Sequence, residues 1–298
     1  MNKKVMSNLM LLVTAVIWGS AFVAQSIGMD FIGPFTFNAA RNIIAGFALL
    51  PVLWLMRRHG SPKPTGNAKR QTWIGGVCCG VVLFIASSFQ QFGLVEADAG
   101  KAGFITALYI VIVPICGLFF KKHVRPLVWL AVAIAAGGLY LLCVKPGQGL
   151  HIARGDLLVL CCAFLFSAHI LVIDHFSPKV DAVAMSCIQF FVAGALALVF
   201  TFAVEKPTFS ALLSCWGPIL YAGILSSGVG YTLQIVAQKN TNPTVASLLM
   251  SLESVFAAIA GWLILGESFT GREFTGALLM FGAIVLAQLP ARKAKQAG

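Results

Sequence analysis

Two charged side chains in this chain fall where charge is expensive. Glu253 lies near the middle of ASLLMSLESVFAAIAGWLILGE (246–267), and Arg41 lies inside a second apolar stretch, residues 34–56. Each stretch has the ~20 residues that cross a ~30 Å hydrocarbon layer. A charge at that depth costs at least about 2–3 kcal/mol unless it is paired, neutralised or hydrated. The chemistry open to such groups is narrow. Glu253 can be ionised and paired with Arg41, the only basic side chain well inside an apolar segment. Alternatively it can be neutral for part of a cycle and take up a proton or a cationic substrate group in turn. Arg41 can answer Glu253, hold a carboxylate-bearing substrate, or snorkel and cap backbone carbonyls. Counted at 1.5 Å per residue, their depths differ by about 8 Å, which an arginine side chain partly spans.

Uncharged polar groups accompany them at depth: Gln25, Asn38, Asn42, Gln90, Gln91, Gln189 and Gln234. Amides in a membrane often bond across helices merely to satisfy one another. Trp18, Tyr109, Tyr231 and Trp262 are the aromatic candidates, with packing or an interfacial place as the ordinary role. A stripe of small residues, Ser247, Ser251, Ser254, Ala258 and Gly261, recurs at spacings of four and three and suits a close helix seam or a polar path. Gly76 and Gly80 offer a similar GxxxG. His169, near the end of its segment, is expected to be satisfied or interfacial, Glu267 sits at the interface, and His59, His123, His151 and His175 are loop residues. None of the eight cysteines forms a CxxC pair, so they read as packing residues. No metal-ligand spacing, phosphate loop or Ser-His-Asp set is present, so the expectation is no cofactor, no metal and no enzyme. Primary ATP-driven pumping by this chain alone is not expected, on the same ground.

The elements that carry these residues follow from hydropathy. Of the 298 residues, 59% are hydrophobic and 10% charged, against about 25% charged in soluble domains, which places the chain in a lipid bilayer. Its net charge of +11 does not indicate nucleic acid, because no basic run is interleaved with aromatics. Ten apolar segments are spaced along it, at 7–28, 34–56, 72–93, 102–120, 126–144, 155–174, 181–203, 211–236, 244–265 and 273–290. The opening MNKK and its apolar run read as a first transmembrane helix rather than a signal peptide. The ends and the even-numbered links hold fifteen Lys and Arg, the odd-numbered links five. By the positive-inside rule both termini are cytoplasmic.

A shift of 144 residues lays 102–120 on 246–264, so Tyr109 meets Glu253 and Gln90 meets Gln234; at a shift of 148, Trp18 meets Phe166 and Arg41 meets Gln189. Two units result, 1–146 and 147–298, each of five helices. Five is odd, so the second unit enters the bilayer from the opposite face. The expected fold is an all-α integral membrane protein of ten transmembrane helices in an inverted 5+5 repeat, an arrangement typical of alternating-access carriers.

WGSAFVAQSIG (18–28), FNAARNIIAG (37–46) and SLLMSLESVFAAIAGWLILGESFTG (247–271) resemble the EamA family of the drug/metabolite transporter superfamily. The resemblance implies a central cavity bounded by helices 1, 3, 4, 6, 8 and 9. It also implies secondary transport, commonly export, of small metabolites such as amino acids. Where the family has Pro after the Glu of the third motif, this chain has Ser254, and the first half carries Pro114 four residues from the equivalent position. The expected substrate contacts are Trp18, Asn38, Arg41, Gln90, Tyr109, Gln189, Tyr231, Gln234 and Glu253. The expected partners are a small-molecule substrate, the lipid bilayer and protons through Glu253, with a place in the bacterial inner membrane. An intramembrane or lipid-handling enzyme and a channel are the competing classes. The first lacks clustered catalytic groups at depth, the second a filter loop.

Overall fold

The computed structural model describes residues 3–96, 99–119, 124–144, 153–265 and 270–289. Glu267, His123 and His151 lie outside the described residues. Among the described residues every element is helical, as a bilayer demands of a backbone that must bond to itself. The helices are α1 (Lys3–Met29), α2 (Pro34–Arg58), α3 (Gly66–Glu96), α4 (Ala99–Ala107), α5 (Tyr109–Phe119), α6 (Pro126–Cys143), α7 (Arg154–Phe176), α8 (Ala182–Val204), α9 (Phe209–Ser214), α10 (Trp216–Leu220), α11 (Thr232–Gln238), α12 (Pro243–Met250), α13 (Glu253–Leu265) and α14 (Gly271–Gln288). A π-helical segment, Tyr221–Tyr231, joins α10 to α11.

Among the described residues, eight helical stretches are long and apolar enough to cross a membrane, while Pro126–Leu141 is apolar but shorter. The fourth, eighth and ninth apolar segments are each interrupted, which hydropathy alone did not indicate. The break between α4 and α5 falls at Leu108, and that between α12 and α13 at Ser251 and Leu252. Leu108 and Leu252 are themselves 144 residues apart. No proline stands at the second break. Ser247 Oγ donates to Thr244 O at 2.9 Å and Ser251 Oγ to Leu248 O at 2.9 Å. Such back-bonding competes with the helical ladder and bends it.

The helices pack in a pattern that exchange of the two halves maps onto itself. α2 lies on α8 and α6 on α14; α3 lies on α7 as the π-helical segment and α11 lie on α1; α4 and α5 touch α7 as α12 and α13 touch α1. Small residues allow these approaches. A Cβ on Gly76 or Gly80 would collide with Ile188 or Val192 of α8, so this GxxxG serves packing within the chain. The serine stripe is likewise a seam: Ser254 Oγ donates to Gly103 O at 3.3 Å, joining the two broken helices. Trp262, 51% exposed, faces away from the interior.

Charged side chains at helix ends tie the outer pairs together. Arg125 donates to Ala287 O at 3.0 Å and Leu289 O at 3.1 Å, while Arg272 donates to Leu141 O at 3.3 Å, so α6 and α14 each cap the other's carbonyl end. Arg57 at the end of α2 pairs with Asp181, whose carboxylate also caps α8 at Ala184 N. At the opposite end, Glu205 accepts from Phe35 N at 2.9 Å, Thr36 N at 2.8 Å and Thr36 Oγ1 at 2.5 Å. That carboxylate satisfies donors that α2 cannot satisfy itself and sits at the positive end of its dipole. Glu205→Ala is expected to lower stability by about 1–2 kcal/mol, read as a drop in the melting temperature of the detergent-solubilised protein, with Glu205→Gln intermediate. An unchanged melting temperature in both would show the cap to be idle.

Candidate functional site

Where the two halves meet, side chains from α1, α2, α3, α4, α5, α7, the π-helical segment, α11 and α13 surround one cavity. Every helix expected to bound it contributes, and α2 joins them through Arg41. Its free interior is about 30 Å³, room for a water and not for a metabolite. The walls are therefore drawn together in this conformation, and anything larger than a water has to part them.

At its centre Tyr109 Oη donates to Glu253 Oε1 at 2.9 Å. These are repeat mates, each the first residue after the break in its own helix. The break thus does two things: it places Glu253 in the first turn of α13, where the helix dipole favours a carboxylate, and it aims Tyr109 at that carboxylate. Glu253 is 3% exposed and so is Arg41. The two do not pair. Arg41 Nη1 donates instead to Gln25 Oε1 at 2.7 Å, and its Nε has no partner among the described residues. Of the two arrangements open to Glu253, the ion pair with Arg41 is not the one adopted.

Around this centre the polar contacts are single and specific. Gln90 Nε2 donates to Thr106 Oγ1 at 3.4 Å, and Gln234 Oε1 is buried without a partner among the described residues. Trp18 Nε1 donates to Ser226 O at 3.1 Å, and its ring lies 4.6 Å from that of Tyr231. A π-helix shifts backbone bonding by one residue, and here Trp18 takes up a carbonyl of that segment. Gly230 makes room, since a Cβ there would stand 2.6 Å from Trp18 Nε1.

Seven of the nine expected contacts line the cavity: Trp18, Arg41, Gln90, Tyr109, Tyr231, Gln234 and Glu253. Asn38 and Gln189 do not. Asn38 is fully buried beside them in α2, and Gln189 stands behind the wall, its Oε1 3.2 Å from His169 Nε2. His169 itself lines the cavity and packs edge-on to Tyr231 at 5.6 Å, so the interfacial place considered for it is replaced by a buried one. Gln25, Thr106, Ser226, Phe22, Phe166 and Ile170 complete the lining. Of these, Phe166 was signalled as the repeat mate of Trp18. The described residues hold no group of His, Cys or carboxylates able to bind a metal ion.

The model of the EamA-like transporter family matches residues 5–144 and 153–289. The chain is 30% identical to an uncharacterized transporter of Archaeoglobus fulgidus, over 96% of this chain and 87% of that one. It is 24% identical to a protein of Chlamydia muridarum named as an S-adenosylmethionine/S-adenosylhomocysteine transporter, over 94% of this chain and 90% of that one. A solved structure at 17% identity superposes with a TM-score of 0.77, covering 95% of this chain and 96% of that one, and so shares the fold.

Proposed function

The chain belongs to the EamA-like transporter family, and from that premise we propose that it is a secondary carrier exporting small metabolites, amino acids among them, by alternating access. The observation that carries this reading is the Tyr109–Glu253 hydrogen bond. It joins equivalent points of two broken helices across the junction of the halves, where carriers built from inverted repeats hold their cargo. Rocking one half against the other parts that contact and opens the cavity to one face at a time. In this reading α6 and α14 complete ten crossings; at 1.5 Å per residue, eighteen residues span about 27 Å. The half-exchange symmetry of the packing supports units 1–146 and 147–298 of opposite topology, with both termini cytoplasmic in a bacterial inner membrane.

Glu253 is the group we assign to the coupling proton, because a carboxyl that bonds a neutral tyrosine and no cation can change charge state without breaking an ion pair. The chlamydial relative's named substrates bear an α-amino acid end, which agrees with a cavity presenting one acid and one cation. Uptake into liposomes of purified protein, screened over amino acids and other metabolites with and without a pH gradient, tests the carrier. Saturable flux with counterflow is expected; a non-saturating conductance would make the protein a pore.

A further inference from the structure

The cavity holds one buried guanidinium to which no carboxylate is bonded among the described residues. Arg41 is 3% exposed, lies inside the apolar span of α2, and forms no ion pair among the described residues. Among the described residues its one hydrogen bond goes to a neutral amide, that of Gln25, and its Nε is buried without a partner. The carboxyl of Glu253 bonds Tyr109 and not Arg41, and the repeat mate of Arg41 is the neutral Gln189. A guanidinium does not escape the problem by losing its proton. Its planar fork matches a carboxylate with two parallel bonds, and burial strengthens such a pair. The neighbouring walls, Trp18, Phe22 and Phe166, are aromatic and suit an uncharged body.

Resting on the carrier reading, we propose that Arg41 is an anion subsite and that the substrate is an organic carboxylate, its acid group on the guanidinium and its apolar part against Trp18. While Glu253 holds its coupling proton, Arg41 is the charge left in the lining and balances a single negative charge. A phosphate dianion would leave net charge buried, which selects the carboxylate.

Paired probes test this: 3-phenylpropionate against its amide, and L-phenylalanine against L-phenylalaninamide, read by thermal unfolding of the purified full chain. Each carboxylate is expected to raise the melting temperature of the wild type by several degrees at millimolar concentration, and each amide by less than a degree. Arg41→Met is expected to abolish the shift, and Arg41→Lys to weaken apparent affinity about tenfold, since an ammonium lacks the fork. The ligand-free melting temperature of Arg41→Met should equal or exceed that of wild type, because a buried unpaired charge has been removed. A lower ligand-free melting temperature in Arg41→Met, equal shifts for acid and amide, or no shift with either carboxylate would overturn the subsite. Flux into liposomes separates this from the carrier reading. Saturable counterflow of neutral or cationic solutes that is indifferent to Arg41→Met removes the subsite and leaves the carrier. A carboxylate-specific melting shift without saturable flux of any probe does the reverse.

Discussion

Glu253→Gln is expected to reduce accumulation driven by a pH gradient to the level of protein-free liposomes, a loss of at least about a hundredfold, while counterflow of labelled substrate persists. The glutamine keeps the size of the side chain and retains an oxygen for the Tyr109 hydroxyl, which lies 2.9 Å from Glu253 Oε1. Folding should therefore survive, and the melting temperature should stay level or rise, since a buried ionisable group has gone. What the amide cannot do is bind and release a proton. Exchange of bound substrate for free needs no net proton movement, so it continues. Undiminished accumulation in the variant would take Glu253 out of the coupling, whereas loss of counterflow together with a lower melting temperature would assign it to structure.

The largest structural effect should come from Gly19→Val. Gly19 places α1 directly on the first turn of α13. A Cβ there would lie 2.6 Å from Glu253 O, 2.6 Å from Phe256 Cβ and 2.8 Å from Ala257 N. Two of those atoms are backbone and cannot rotate away, so the helices must separate. Overpacking of this kind costs about 1–3 kcal/mol, occasionally more, and here it also moves the Glu253 carboxyl. Melting temperature and transport should fall together, with transport reduced more than tenfold even where the protein still folds. Gly138→Ala is the control: its Cβ would stand 2.7 Å from Gly276 O in the α6–α14 contact, far from the cavity lining. Stability should drop there while transport by the folded fraction is kept. If Gly19→Val transports normally, the α1–α13 contact has no part in forming the site.

Hydropathy was a sufficient guide to the helices because a bilayer penalises any other use of long apolar runs. The breaks were illegible for the same reason. Leu108 and Leu252 are good helix formers, and at the second break the interruption accompanies serine back-bonding, which leaves the apolar pattern unaltered. Arg41 and Glu253 could be found because charge at depth is costly, and Tyr109 and Gln234 because symmetry tied them to other candidates. Asn38 and Gln189 stand outside the cavity lining because α2 and α8 bury more than one face, so polarity does not reveal which way a side chain turns. His169 was set aside as close to a helix end, yet α7 runs on to Phe176 and leaves it two turns deep. Phe22 and Ile170 could not be read at all, since an apolar side chain looks alike in a core and in a cavity wall.

One departure from symmetry bears on direction. Twin halves of identical shape would give the forms open to either face equal free energy, and an empty carrier would idle with both mouths equally populated. The π-helical segment Tyr221–Tyr231 exists in one half only; its counterpart, 77–87, is regular α-helix within α3. In the alternating-access reading proposed above, a distortion held by Trp18 and Thr14 on one side, with no equal in 77–87, would lift that degeneracy. Even about 1.4 kcal/mol of imbalance parks ten empty molecules facing one way for each facing the other. The lopsided turn would thus set the side from which the next cargo is collected.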